Sequence, residues 1–202
     1  MKKQRILSNP VYRDEQAPVA KRVKDLLSRM TLTEKVAQLT GFAPWTGLLS
    51  PVRGQAPDST EDSVVDNVVN YDTLKKHFRH GFGHIGEIAN WYNCPSRDAE
   101  IINEIQRFML EKTRLGIPLI VTTECLHGLK APGATVFPQA IALSSTWDPD
   151  LVCRVFAAVA AETRSRGMTQ ALTPMVDIAR DPRFGRIEES YGEDPFLTAR
   201  FA

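Results

Sequence analysis

The stretch Ala171-Leu-Thr-Pro-Met-Val-Asp-Ile-Ala-Arg-Asp-Pro-Arg-Phe-Gly-Arg-Ile-Glu-Glu-Ser-Tyr-Gly-Glu-Asp-Pro195 carries the clearest signal for the fold. Its first part, residues 171–179, is largely apolar and predicts a buried strand. A loop rich in Arg, Asp and Glu follows it. Asp194-Pro195 then opens a helix, with Asp as the N-cap and Pro in the first turn. A strand, a polar loop and a helix in this order indicate one unit of a parallel α/β sheet.

Two similar units precede this one. Pro118-Leu-Ile-Val-Thr-Thr-Glu124 is a buried-type strand, and Asp148-Pro149 opens a helix that we expect to run to Gly167. Further back, residues 82–88 are a short strand candidate, and residues 97–115 carry an apolar stripe at helical spacing. Strand followed by helix three times over predicts a parallel sheet with right-handed crossovers. The sheet is either an open doubly wound sheet or part of a closed (β/α)8 barrel.

A helical lead-in is predicted before these units. Residues 18–30 have apolar side chains at helical spacing, and Thr31-Leu-Thr-Glu34 is a capping box for a short helix that ends near Gly41. From Phe42 to Asn70 the sequence is irregular and predicts a long excursion. Trp45 in this excursion either packs there or lines a site.

Polar residues cluster where two predicted strands end. Glu124 closes the second strand, and Arg180-Asp-Pro-Arg-Phe-Gly-Arg186 follows the third. In a barrel, active sites are built at the carboxyl ends of the strands, so this arrangement favours the barrel. An open sheet also binds ligands at that edge, and the alternative therefore stays open.

Glu124 and the arginines are the candidate site residues. A carboxylate at the end of a buried strand is costly unless it is paired or bonded to a ligand. Glu124 therefore either binds hydroxyls, a metal or a cation, or forms a structural ion pair with a loop arginine. In the loop, the near-balanced charge predicts that most arginines tether to neighbouring acids. One arginine that faces the cleft can hold sugar hydroxyls or a carboxylate through its planar fork.

Other sequence features exclude several classes of protein. The net charge of +1 does not indicate binding to nucleic acid, which is typical of strongly basic proteins. No stretch is apolar enough to span a membrane. Three cysteines at scattered spacings argue against a disulfide framework and for a reducing compartment. The N-terminus has no apolar run behind its basic residues, so we expect a cytoplasmic location, or a periplasmic or secreted one if a leader has been removed.

Two local patterns are weaker than they first look. Gly81-Phe-Gly-His-Ile-Gly86 matches the dinucleotide-binding fingerprint, but no buried strand precedes it and no helix directly follows it. We therefore predict glycines in a tight turn before a strand, and no dinucleotide or other cofactor.

His77, His80 and His84 have the spacing of one helix face, but Gly81 and Gly83 interrupt any such helix. We interpret these histidines as surface or capping residues, and no metal site is predicted. Cys125 is interpreted as a small buried residue beside a strand end.

Four ordered motifs together resemble glycoside hydrolase family 3, the retaining β-glucosidases and β-xylosidases. These motifs lie at residues 29–39, 114–128, 132–138 and 177–194, and the last, Asp177-Ile-Ala-Arg-Asp-Pro-Arg-Phe-Gly-Arg186 with Glu189-Ser-Tyr-Gly-Glu-Asp194, is the most specific. The resemblance implies that the chain is the N-terminal part of a (β/α)8 barrel domain, comprising about the first three strand–helix units. The rest of the barrel and a C-terminal α/β sandwich domain would follow in the family.

The same resemblance implies a role for two residues. Glu124 and Arg186 would hold the hydroxyls of the non-reducing terminal sugar, so that the expected substrates are oligosaccharides and aryl or alkyl β-glycosides. Many glucose-specific members have Asp where this chain has Glu124. The longer side chain is similar to that of the xylosidase branch, which handles a sugar without the C6 hydroxymethyl group.

The family's nucleophile and its acid/base residue would lie beyond residue 202. We therefore assign no catalytic residue within the chain, and we expect these 202 residues alone to be inactive. A non-catalytic sugar-binding remnant or pseudoenzyme is the alternative. The hexosaminidase branch of the family is disfavoured, because that branch lacks the Arg-rich loop.

Overall fold

The structure is a computed structural model that describes residues 10–42, 48–51, 67–88 and 95–202. A 3-10 turn at Val11–Arg13 comes first. Seven α-helices follow among the described residues: α1 (Val19–Arg29), α2 (Leu32–Gln38), α3 (Tyr71–His77), α4 (Pro95–Lys112), α5 (Ala140–Ser144), α6 (Pro149–Ser165) and α7 (Pro195–Phe201). The strands are β1 (Gly41–Phe42), β2 (Leu49–Pro51), β3 (Asn67–Val69), β4 (His84–Gly86), β5 (Ile120–Thr123) and β6 (Gln170–Ala171).

Four of the strands form a parallel sheet in the order β1-β4-β5-β6. The register pairs Gly41 with His84, Ile85 with Val121, and Thr123 with Ala171. Helices α4 and α6 connect successive strands, as crossovers between parallel strands require. Sequential order across the sheet with connecting helices is the arrangement of a partial (β/α) barrel, which confirms the predicted fold class.

The core lies between this sheet and the two long helices. Ile85 and Val121 from the sheet are fully buried, together with α4 residues Ile101, Ile105 and Met109. Val159 of α6 and Met168 just after it join the same cluster. The sheet is therefore anchored on one face by α4 and α6, which fixes where the carboxyl ends of β4, β5 and β6 lie.

The structure adds a short edge strand to the three predicted strand–helix units. A fourth parallel strand, Gly41–Phe42, stands at the edge where we expected only the end of a helix. Gly41 lies close under a side chain of the neighbouring strand: a Cβ on it would lie 2.1 Å from Cε1 of His84, so a larger residue would require the His84 ring to move. The irregular excursion also contains a small antiparallel pair, β2 with β3. Trp45 lies outside the described residues.

The third predicted strand was wrong in extent. Residues 171–179 were expected to be extended and paired, but β6 ends at Ala171. Pro174 has no N–H to donate to a sheet, and from Leu172 to Asp194 the chain forms a loop whose one short helical element is the 3-10 turn Ile187–Glu189. An isolated bridge between Met175 and Ser190 closes this loop on itself.

Helix starts agree closely with the sequence. Thr31 and Glu34 form the reciprocal capping box of α2. Asp148 caps α6 and Asp194 caps α7 through backbone N–H groups of the first turn. The lead-in helix α1 is present, but its apolar residues Val19, Val23 and Leu27 are 48–72% exposed, so its predicted apolar stripe packs little against the described part of the chain.

Candidate functional site

Glu124 and Arg186 come from the loops that follow two neighbouring strands. Glu124 directly follows β5 and begins the β5–α5 loop, residues 124–139. Arg186 lies in the β6–α7 loop, residues 172–194, just before the 3-10 turn. Since β5 and β6 are parallel neighbours, both loops leave the same edge of the sheet. The structure thus brings the two predicted site residues to one end of the fold.

The charges of Glu124 and Arg186 each affect the pKa of the other side chain. Partial burial raises the pKa of the Glu124 carboxyl above its ordinary value, and the nearby Glu87 carboxylate raises it further. Lys130 and Arg186 act in the opposite direction. Arg186 in turn has its pKa raised, first by its hydrogen bonds to Glu189 and also by the charges of Glu124 and Asp177. The site is therefore a mixed cluster in which carboxylates outnumber the cations.

Arg186 is tethered rather than left unpaired by its loop. Its Nε and Nη2 both donate to Oε2 of Glu189, at 2.9 and 2.5 Å. Arg183 is held in the same manner by Asp181. The predicted tethering of the loop arginines to neighbouring acids is thus seen for Arg183, and it extends to Arg186. The Arg186 side chain is still 57% exposed, and its other N–H groups have no hydrogen-bond partner among the described residues.

The β5–α5 loop is folded tightly around Glu124. The backbone N–H of Lys130 donates to the carbonyl of Glu124 at 3.0 Å, and that of Phe137 donates to the carbonyl of His127 at 2.7 Å. Gly128 has a φ of +119°, and a Cβ there would lie 2.2 Å from the Thr135 carbonyl oxygen. Cys125 is fully buried, as predicted, and burial raises the pKa of its thiol.

Glu87 is a neighbour that the sequence reasoning missed. It directly follows β4 and has a φ of +60°, which is uncommon for a residue with a side chain. Its backbone N–H donates to Thr122 on β5 at 3.0 Å, which places it beside the end of the neighbouring strand. The available signal was an acidic residue at the end of a short strand, the same signal that singled out Glu124.

The glycine pattern and the histidines at residues 77–86 have structural surroundings of their own. A Cβ on Gly83 would meet the carbonyl oxygen of Gln38 at 2.0 Å, and Gly81 has a φ of +85°. The strand starts at His84, inside the glycine pattern, so these glycines serve a turn and a close backbone approach, as expected. His80 accepts a hydrogen bond from Arg79. In the part of the chain that the structure describes, no group of three His, Cys, Asp or Glu side chains could hold a metal ion.

A large apolar groove lies elsewhere. It has a volume of about 790 Å³ and runs along α6, β6 and α7, lined by residues such as Val152, Phe156 and Met168. Glu124 and Arg186 do not line it. Among the described residues β6 pairs only with β5, so the groove borders the open side of the sheet. No helix in the described ranges is both long and apolar enough to cross a membrane.

Comparison with known proteins identifies the family. The family model described as "Glycosyl hydrolase family 3 N terminal domain" matches residues 31–202. A putative β-xylosidase of Formosa agariphila is 34% identical over 189 residues, covering 94% of this chain and 23% of that protein. β-Glucosidase C of Emericella nidulans is 36% identical over 199 residues, covering 94% of this chain and 29% of that protein.

Solved structures agree with this. A β-glucosidase from Erythrobacter marinus matches with a TM-score of 0.76 and 36% identity, over 94% of this chain and 23% of that one. A β-glucosidase from Listeria innocua, solved in complex with isofagomine, matches with a TM-score of 0.65 and 31% identity, over 90% and 21% of the two chains. The chain spans less than a third of the length of these relatives. Its sequence and its fold together show that it belongs to glycosyl hydrolase family 3, within the N-terminal domain of that family.

Proposed function

We propose that the intact protein is a retaining, exo-acting β-glycosidase. In this proposal it removes the non-reducing terminal β-D-xylosyl or β-D-glucosyl residue from oligosaccharides and glycosides. Residues 1–202 are then the N-terminal part of its barrel domain, and the rest of the barrel and an α/β sandwich domain follow. The observation that carries the proposal is the placement of Glu124 and Arg186 at one edge of a family 3 sheet, within electrostatic range of each other.

The chemistry of the pair suits a sugar. A carboxylate accepts hydrogen bonds from hydroxyl groups and a guanidinium donates to them, so the two together can bind neighbouring hydroxyls with directional, charge-assisted bonds. Such bonds can hold a sugar ring while it distorts toward an oxocarbenium-like transition state. Among the described residues the cluster holds more carboxylates than cations, whereas a phosphate site needs a surplus of cations.

The direct test is sugar binding by site variants of the intact protein. Glu124→Gln removes the negative charge, and Arg186→Lys removes the planar guanidinium. Each should raise the Kd for D-xylose and D-glucose roughly tenfold or more. Glu188→Gln is a matched control, because Glu188 is exposed and lies two residues from Arg186. Unchanged affinity in both site variants would contradict the assignment.

The pH dependence gives a second test. The Glu124 carboxyl has a raised pKa, and sugar hydroxyls bind best to its ionised form. Affinity should therefore fall as the pH is lowered through this raised pKa, while Glu124→Gln should bind weakly at every pH. A pH profile shared by the wild type and Glu124→Gln would show that another group controls binding.

Rates of hydrolysis test the sugar preference of the intact protein and the activity of residues 1–202 alone. We expect the intact protein to hydrolyse aryl β-D-xyloside at least as fast as aryl β-D-glucoside, because the longer side chain of Glu124 would take up space that a C6 hydroxymethyl group needs and that xylose leaves empty. A much faster reaction with the glucoside would refute this preference.

Retaining hydrolysis needs two carboxyl groups about 5 Å apart that flank the scissile bond. We place both outside residues 1–202, and so expect this segment alone to be poorly soluble and to release no aryl alcohol.

A further inference from the structure

The C-terminal half of α6 and Arg166, the residue directly after it, contact the β5–α5 loop at three points. The Glu162 carboxylate accepts the backbone N–H of Thr135, with N···O distances of 3.1 and 3.2 Å. The Thr163 hydroxyl lies 3.4 Å from Sγ of Cys125, the residue next to Glu124. The first of these contacts is near the surface and the second is buried.

The third contact uses a buried charge. Arg166, only 5% exposed, donates from Nη2 to the Pro132 carbonyl at 3.0 Å and from Nη1 to Oδ2 of Asp98 at 3.3 Å. Asp98 is fully buried in α4. Burying two charges is unfavourable, and an apolar pair of similar size would often be at least as stable. What the ion pair adds is a directional link from α4 and α6 to one backbone carbonyl of the loop.

Displacement of this part of the loop would reach Glu124. The Lys130 N–H holds the Glu124 carbonyl, and the two ends of the loop are joined by the hydrogen bond from Phe137 to His127. Pro132 and Thr135 lie between Lys130 and Phe137, so the contacts with Arg166 and Glu162 hold the segment whose two ends are bonded to the backbone of Glu124 and of His127.

We propose that Arg166 and Glu162 are positioning residues for Glu124. They do not contact the sugar. They hold the β5–α5 loop so that the Glu124 carboxylate is oriented for hydroxyl binding before the sugar arrives, which lowers the entropy lost on binding. This inference rests on the proposed role of Glu124 in sugar binding.

The test is the Kd of the intact protein for D-xylose and D-glucose, measured by ligand-observed NMR. Arg166→Lys keeps the charge but replaces the planar guanidinium, whose two Nη atoms reach Asp98 and Pro132, by a single ammonium on a different side chain. Glu162→Ala removes the acceptor for Thr135. Each should weaken the Kd roughly tenfold. Arg164→Ala, an exposed residue of the same helix, should leave it unchanged. A purely structural role would lower the fraction of folded protein and leave the Kd of that fraction as it was.

A double-mutant cycle distinguishes the two proposals. If Arg166 and Glu162 act through Glu124, their effect on Kd should vanish in the Glu124→Gln background. If Glu124→Gln alone leaves the Kd unchanged, the sugar-binding role of Glu124 in the proposed function fails, and the positioning role fails with it. If Glu124→Gln weakens binding but Arg166→Lys and Glu162→Ala have no effect, or the same effect in both backgrounds, the positioning role is overturned and the proposed function stands. Glu162→Ala changes a half-buried surface contact, so it carries the test should Arg166→Lys fail to fold.

Discussion

The two loops that place Glu124 and Arg186 are held by different kinds of contact. The β5–α5 loop is tied to α6 and to Arg166, the residue after it, by contacts between residues 27 to 38 positions apart in sequence. Arg166 is itself buried and paired with Asp98 of α4. In the β6–α7 loop, Arg183 and Arg186 form ion pairs with acids two or three positions away that are largely open to water. The buried contact of this loop is made by Tyr191, which packs against Ala140, Leu143 and Phe201. The charged link of the first loop is therefore buried, while the charged links of the second lie at the surface.

This difference matters for the energetics of each loop. Exposed ion pairs contribute little to stability, because water and salt already solvate both partners. A buried pair contributes little net free energy when intact, yet its disruption is severe, because one charge stays behind in the interior. The comparison predicts that substitutions in the two loops differ greatly in effect.

The largest effect is expected at the buried pair. Arg166→Met should lower the free energy of unfolding by about 3–5 kcal/mol, because the Asp98 carboxylate loses this cation inside the protein. Urea denaturation of the intact protein followed by circular dichroism measures it. Arg164→Met on the exposed side of α6 is the control. A loss below about 1 kcal/mol would mean that the buried pair is relieved by another group.

The next largest effect is expected at a glycine of the β5–α5 loop, with a second glycine of that loop as its comparison. Gly128→Ala should lower the free energy of unfolding by about 2–3 kcal/mol, since φ is +119° and the new Cβ would overlap the Thr135 carbonyl. Gly133→Ala meets no atom within 4 Å and has only the unfavourable φ of +70°, so about 1 kcal/mol is expected. Equal losses from the same denaturation experiment would show that the loop tolerates movement at Gly128.

The lead-in helices offer an intermediate case. Glu34 is buried while its partner Arg114 is 55% exposed, and their hydrogen bonds lower the Glu34 pKa to about 2. A lowered pKa stabilises the fold above the ordinary carboxyl value and loses that contribution as the pH falls from about 4.5 to about 2. Stability should drop over this window by roughly 1–3 kcal/mol, and Glu34→Gln should flatten the drop. An identical pH profile for the variant would contradict the assignment.

The smallest effect is expected in the β6–α7 loop. Asp181→Asn removes the partner of Arg183, whose side chain is 89% exposed. The melting temperature should not change measurably, because solvent replaces the lost ion pair. A clear drop in a thermal scan would show that this loop depends on its charges as strongly as the other loop depends on its buried contacts.

Much of this arrangement was accessible from sequence, and the limits have physical causes. Helix starts were predicted well because capping is local: Thr31, Asp148 and Asp194 satisfy N–H groups within the next three residues. The strand at Gly41–Phe42 was missed, because a two-residue strand has no periodicity and depends on pairing with β4. The third strand is shorter than predicted. The apolar residues from Met175 to Ala179 indicated a strand, but Pro174 before them has no N–H to donate to a neighbouring strand.

The candidate site shows the same division. Glu124 could be singled out from its place at the end of a buried strand. Glu87, by contrast, became recognisable as its neighbour only when β4 and β5 were paired. The role of Asp98 and Arg166 could not be read from the sequence, because the two residues are 68 positions apart and meet only in the folded protein.

The pairing of Arg186 with Glu189 has a further consequence. Glu189 acts as a ligand that is permanently attached to the arginine, and so it is present at a high effective concentration. It takes up one edge of the guanidinium and leaves the other donors directed outward. A substrate that needs only those remaining donors binds a side chain that is already ordered, so little side-chain entropy is lost on binding. A ligand that needs both edges of the guanidinium must first displace Glu189.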